Sequence, residues 1–251
     1  MLESPENQQR LYGDLAWVWP IISPPEDYVE ETEGFCQIIR ENSHIQVNTI
    51  LHLGCGGGHN DHTLHKHYKV TGVDISEAML SLARKLNPQV TYHVGDMRMV
   101  RLDKTFDAVI SLDSIGYMLT EEDLQSAFIT AYHHLKPGGV FLTLAEETPQ
   151  QLQKNRLFCS THSRGDIEID FVQNYYDPDP SDSTFQSVFV FLIHRGHRLE
   201  IETDRHLGGI FEVETWHRLL KEAGFEVRQM EFRHPALEGD SCPMFVCIRP
   251  L

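Results

Sequence analysis

From about Asn48 onward, short β-rich runs alternate with helical stripes. Thr49 to Leu53 reads as a strand ending in Gly54-Cys55-Gly56-Gly57-Gly58, and Lys69 to Asp74 reads as a second strand. Ser76 to Leu86 carries Ala78, Met79, Leu82, Ala83 and Leu86 on one helical face, with Ser76 placed to cap it. Val90 to Val94 and Phe106 to Ser111 follow as strands. Thr120-Glu121-Glu122-Asp123 has the spacing of a capping box, and it opens a helix whose stripe is Leu124, Ala127, Phe128, Ala131 and Leu135. Pro137-Gly138-Gly139 breaks that helix, and Val140 to Ala145 returns as a strand. Strand–helix–strand repetition with short connections predicts a parallel α/β sheet with right-handed crossovers.

Beyond Thr148 the period changes. Gly165 to Asn174, Thr184 to His194 and Arg198 to His206 are polar and strand-like, separated by turn-forming runs. They predict an antiparallel insertion. A last helix carries Trp216, Leu219, Leu220 and Ala223 and closes at Gly224; Phe225 to Phe232 and Met244 to Arg249 then pair as closing strands. The chain divides into an N-terminal helical segment (1–47), a core (48–147), an antiparallel β cap (148–210) and a closing helix and strands (211–251).

Composition narrows the partners. The 251 residues hold 21 Lys+Arg against 37 Asp+Glu, a net charge of −16, which disfavours a nucleic-acid or anionic-membrane surface and suits a cationic ligand. Five cysteines without a C-x-x-C pair fit a reducing compartment better than a disulfide framework. The start MLESPENQQR is polar and no apolar stretch is long enough to span a bilayer, so a cytoplasmic protein is expected.

The glycine turn after the first strand lets backbone approach a ligand closely. Asp74 ends the second strand twenty residues after Gly54, where a carboxylate can accept from both hydroxyls of a ribose. An alternative role for Asp74 is a charge at a helix N-terminus. A dinucleotide fingerprint wants a small residue where this chain has His59, which disfavours NAD. Gly95-Asp96-Met97 follows the third strand; Asp96 can accept from an adenine amine while Met97 lies against the ring. These residues point to S-adenosylmethionine.

The stretch from Ile50 to Ala145 resembles a class I S-adenosylmethionine-dependent methyltransferase, through LHLGCGGG, TGVDIS, GDMR, FDAVISLDSIGYM and LKPGGVFL in order. The resemblance implies a Rossmann-like seven-stranded sheet of order 3-2-1-4-5-7-6, its last strand antiparallel, with helices on both faces. The insertion and Ser114-Ile115-Gly116-Tyr117-Met118 are similar to small-molecule N-methyltransferases, including amino-sugar N,N-dimethyltransferases, which favour a His where this chain has Tyr117. By that resemblance Gly54, Cys55, Gly56 and Gly58 line the methionine and ribose end of S-adenosylmethionine. Asp74 holds the ribose, Ile75 and Met97 flank the adenine, and Asp96 reads its amine. Leu112 flanks the sulfonium, and Tyr12 lies near the methionine tail.

Asp113 and Tyr117 follow the fourth strand, at the edge where open α/β sheets present ligands. Asp113 is placed to neutralise or deprotonate an amine and Tyr117 to orient it; loop capping and packing are the alternative roles. Glu146 and Glu147 are weaker candidates of the same kind. His59, His62, His65 and His67 lack a second ligand pair, so no metal is expected. His206 has no evident partner. The expectation is a methyltransferase acting on a small-molecule amine. Alternatives are a methyltransferase on protein or RNA and a non-catalytic binding module. A NAD-dependent oxidoreductase is disfavoured, and the sequence leaves the oligomeric state open.

Overall fold

The strands at the centre of the chain are buried on both faces, as a sheet covered by helices on either side requires. In a computed structural model, residues 8–150, 152, 155–233 and 241–251 are described; the polar start at 1–7 lies outside them. Five strands run parallel: β1 (Thr49–Leu53), β2 (Lys69–Asp74), β3 (Thr91–Val94), β4 (Phe106–Ser111) and β5 (Leu135–Leu144). Before β1 come α1 (Trp19–Ile22) and α2 (Val29–Asn42). The crossovers use α3 (Asp61–Leu64), α4 (Glu77–Leu86) and α5 (Glu121–His134). Ser76 Oγ accepts from the Met79 amide at 3.1 Å and Thr120 Oγ1 from the Asp123 amide at 3.1 Å, so the capping residues read from the sequence start α4 and α5.

A second, four-stranded antiparallel sheet follows: β6 (Arg156–Arg164), β7 (Ile167–Tyr176), β8 (Thr184–Arg195) and β9 (Arg198–Gly209). The chain then returns through α6 (Val213–Glu222), β10 (Glu226–Arg233) and β11 (Ser241–Ile248). The main sheet has the order β10-β11-β5-β4-β1-β2-β3, which is 3-2-1-4-5-7-6 when its own seven strands are counted. β11 lies antiparallel to both β5 and β10.

Three apolar clusters hold these layers. Leu124, Phe128, Trp216, Leu219 and Leu220 cover one face of the main sheet from α5 and α6, and Phe35, Ile39 and Leu64 cover the other from α2 and α3. The third joins the N-terminal segment to the second sheet. Alternate residues of β8, including Phe189, Phe191 and Ile193, are buried against Leu11, Leu15, Val18, Ile21 and Ile22.

Two features differ from the sequence reading. β5 begins at Leu135, because Pro137-Gly138-Gly139 forms an irregularity beside Phe106 and Ala108 within the β4–β5 pairing. β6 carries no clear alternation of buried and exposed positions, so periodicity gave no signal for it. It survives as the edge strand of the second sheet. Among the described residues, no helix is long and apolar enough to cross a membrane.

Candidate functional site

At the C-terminal edge of the parallel strands lies a cavity of about 790 Å³. The glycine turn leaving β1 forms its floor. Gly54 and Cys55 donate their amides to the Val73 carbonyl at 2.7 and 3.0 Å, which ties the turn to the end of β2. Gly54 has φ of +71°, and a Cβ there would stand 2.3 Å from Ser114 Cβ, so only glycine fits. Asp74 Oδ2 accepts from the Gly56 amide at 2.7 Å and Oδ1 from the Ser76 amide at 2.8 Å. Burial pushes the Asp74 carboxyl above its usual value, against the pull of those amides.

Gly58 does not line this cavity and packs instead toward Tyr92, Asn87 and Ala83, whereas the other expected residues converge on it. Ile75 stands exposed at the rim, Cys55 and Leu112 are buried in the wall, and Met97 packs beneath the Gly54 turn. Asp96 brings a partner the sequence reading did not include. Arg98 Nη2 donates to Asp96 Oδ2 at 2.6 Å and Nε donates to both oxygens at 3.0 Å, while Nη1 reaches Asp123 at 2.8 Å. The Arg98 guanidinium holds the Asp96 carboxyl below its usual value. Tyr12 arrives on a 3-10 turn, Arg10–Tyr12, and its backbone carbonyl accepts from Ser76 Oγ at 2.5 Å.

A second cavity, about 550 Å³, adjoins the first; Tyr12, Trp19, Tyr28, Asp113 and Tyr117 line both. Its far wall is the second sheet. Gly209 at the end of β9 lies against the loop after β4, where a Cβ would fall 1.8 Å from the Met118 carbonyl oxygen. That approach brings β9 over Tyr117. Acidic side chains gather here. Asp113 is exposed within the cavity, and Glu147 is paired with Arg156. Enclosure by the surrounding protein, then the carboxylates of Asp113, Glu147 and Glu31, raises the Glu146 carboxyl well above its usual value.

Where the cavities meet, four side chains form one hydrogen-bonded series. Tyr12 Oη lies 2.8 Å from Tyr117 Oη, Tyr117 Oη lies 2.7 Å from His206 Nδ1, and His206 Nε2 lies 2.7 Å from Asp204 Oδ2. The sequence did hold a signal for the partner of His206. Asp204-x-His206 on a strand places both side chains on one face.

The other histidines disperse. His59 accepts from Trp19 Nε1 at 3.1 Å, and burial lowers it to about 4, so it is neutral. His62 bonds Asn87, and His67 pairs with Glu33. α3 spans only Asp61–Leu64, and the ring against His62 is that of His65. Glu33, Cys36 and His67 place donor atoms within 4.8 Å of one another but line neither cavity.

The first cavity fits an adenosyl ligand on the chemistry of its donors: a glycine turn open to close approach, and a half-buried carboxylate whose hydrogen-bond partners are two backbone amides. A methyltransferase-domain family model matches residues 50–139. A methyltransferase-family protein of Geobacillus sp. (strain WCH70) is 30% identical over 189 residues, covering 72% of this chain and 75% of that protein. The chain belongs to the class I S-adenosylmethionine-dependent methyltransferases. Within them it is similar to dTDP-3-amino-3,4,6-trideoxy-α-D-glucopyranose N,N-dimethyltransferase of Streptomyces venezuelae, at 38% identity over 117 residues. That match spans 46% of this chain and about half, 49%, of the relative. The crystal structure of Streptomyces venezuelae DesVI superposes with a TM-score of 0.82 at 26% identity, covering 95% of this chain and 96% of that one.

Proposed function

We propose that this chain transfers methyl groups from S-adenosylmethionine to the amine of a small molecule, with an amino sugar as the acceptor class. The observation that carries the reading is the acidic second cavity, which meets the first at Asp113 and Tyr117. An amine is a cation in water, and the Asp113 carboxylate, beside Glu146 and the Glu147–Arg156 pair, gives that space a matching charge. The Streptomyces venezuelae relative is named for an amino-sugar acceptor, which supports the same class.

When bound, S-adenosylmethionine supplies an electrophilic methyl group on a sulfonium. Gly54, Cys55 and Gly56 would line its methionine and ribose end, Asp74 would accept from the ribose hydroxyls, and Tyr12 would lie near the methionine tail. Asp96 would read the adenine amine between Ile75 and Met97, with Leu112 beside the sulfonium. Asp113 would draw in the acceptor, and Tyr117 would orient it. Because the donor is already activated, holding the nucleophile in line accounts for most of the acceleration.

On this reading residues 1–47 and 148–210 close over a core made by 48–147 and 211–251. Five free cysteines and the acidic charge fit a cytoplasmic protein working without nucleic acid. The test is calorimetry followed by chemistry. S-adenosylmethionine should bind and NAD should not. The bound protein should then methylate dTDP-3-amino-3,4,6-trideoxy-α-D-glucopyranose, or another amino sugar, at nitrogen, read by mass spectrometry. Binding without transfer to any amine would leave a non-catalytic module, and binding of NAD alone would end the reading.

A further inference from the structure

The series Tyr12–Tyr117–His206–Asp204 has a direction, and it follows from its buried end. Asp204 Oδ2 accepts from the Leu11 amide at 2.6 Å and Oδ1 from the Arg205 amide at 2.8 Å. Burial disfavours its charge, but the donors from His206 and the backbone outweigh that and hold the carboxyl below its usual value. A carboxylate only accepts, so His206 Nε2 carries the hydrogen that fills the 2.7 Å contact. In a neutral imidazole Nδ1 is then a lone pair, and the Tyr117 hydroxyl must donate to it. Tyr117 Oη is left as an acceptor for the Tyr12 hydroxyl. Every hydrogen in the series points inward, and the Tyr12 oxygen presents its lone pairs where the two cavities meet.

Resting on the reading of an amine acceptor, we infer that His206, held by Asp204, takes the proton of the incoming ammonium through Tyr117 and Tyr12. An ammonium has no lone pair and cannot attack a methyl group. Its N–H would donate to Tyr12 Oη, the Tyr12 hydrogen would pass to Tyr117 Oη, and the Tyr117 hydrogen to His206 Nδ1. One proton moves and no bond to carbon changes. The acceptor becomes a neutral amine, both tyrosines are restored, and His206 becomes an imidazolium facing the Asp204 carboxylate.

The surroundings suit this role. His206 and Asp204 are each 1% exposed, and the His206 ring is held edge-on to Phe189. Burial raises both tyrosine hydroxyls above their usual values, so neither rests as a phenolate and the two transfers along the series are concerted. The titratable groups that face the series are Asp113 and Asp74 near Tyr12, and Tyr175 near Tyr117; Glu146 and the Glu147–Arg156 pair line the same cavity. His206 and Asp204 thus act through Tyr117 as positioning residues from the second sheet.

The experiment has two arms on the full chain. Histidine-¹⁵N labelling reads the ring directly, with the His206 signal identified by its loss in His206→Gln. A neutral ring with its hydrogen on Nε2 is expected; a hydrogen on Nδ1 at neutral pH overturns the relay, with or without turnover. The second arm is single-turnover methylation of dTDP-3-amino-3,4,6-trideoxy-α-D-glucopyranose at saturating S-adenosylmethionine. His206→Gln should be slower by at least about tenfold at neutral pH. It should come within about threefold of wild type at a pH well above the amine's own pKa, where the acceptor arrives deprotonated. Tyr117→Phe, which leaves the His206–Asp204 pair in place, should show the same pH pattern. Equal losses at both pH values overturn the relay and make His206 a structural prop. Failure of the wild-type protein to methylate any amine overturns the proposed function instead, and the nitrogen measurement still judges the direction of the series.

Discussion

The first cavity takes most of its walls from residues 54–57, 74–79, 95–98 and 112–114, which follow strands of the parallel sheet, and Tyr12, Trp19 and Tyr28 of the N-terminal segment complete it. The second gathers Leu11, Asp113, Glu146, Tyr175, His206 and Cys242 from stretches scattered through the whole chain. One is mainly a set of local motifs, each fixed by the strand before it. The other exists only after the N-terminal segment, the inserted sheet and the main sheet have docked. On the proposed reading the cofactor side is written mainly in short runs of sequence, whereas the acceptor side is written in tertiary contacts, where a new acceptor can be accommodated without disturbing the glycine turn.

The comparison breaks first at Gly54. Gly54→Ala puts a Cβ into Ser114 at a left-handed backbone position, so the turn must move. S-adenosylmethionine affinity measured by calorimetry should fall by more than about a hundredfold, with the second cavity unchanged in structure. Retained affinity would show that the turn is not the floor of the cofactor site.

Asp74→Ala should weaken S-adenosylmethionine by about 1.5–3 kcal/mol, the range for hydrogen bonds to a charged group. The wild-type affinity should also depend on pH. The Asp74 carboxyl is raised in the ligand-free protein, and a ligand that donates to its charged form must expel the proton when the carboxyl is neutral. Affinity should be full above the raised value and fall as pH drops through it, starting above the usual carboxyl range. Asp74→Asn should flatten that slope.

The smallest effects fall on the acceptor side. Tyr117→Phe should slow single-turnover methylation at neutral pH about tenfold, equivalent to about 1.4 kcal/mol on the barrier. Asp113→Asn, which keeps shape and removes charge, should also slow it. Both should leave S-adenosylmethionine affinity within about twofold. Loss of cofactor binding in either would move that residue into the first cavity and blur the division between the two.

The same division governs what the sequence made legible. Caps, parallel strands and the glycine turn depend on neighbours within a few residues, and Ser76, Thr120 and Gly54 sit where spacing puts them. Asp96 was read as an adenine acceptor without its guanidinium partner, although Arg98 is only two residues away, because a loop has no periodicity to aim side chains. β6 escaped because an edge strand exposed on both faces needs no apolar alternation. The tyrosine partner of His206 is not legible in the sequence, because its contact with Tyr117 spans 89 positions, which no spacing rule reaches. Glu146 was visible only as an acidic residue after β5; its company of carboxylates is a product of packing.

The strand order at the main sheet's edge has a consequence for biosynthesis. β11 is made after β10 yet lies between β10 and β5. Until residues 241–248 leave the ribosome, β5 has a bare edge and β10 has no strand to pair with, whereas the inserted sheet, a meander of sequential neighbours, can close on its own. A nascent chain halted between the two would carry an open, apolar strand edge of the kind that recruits other chains. The eight residues of β11 thus act as a keystone: the parallel sheet loses its bare edge only once they have been made.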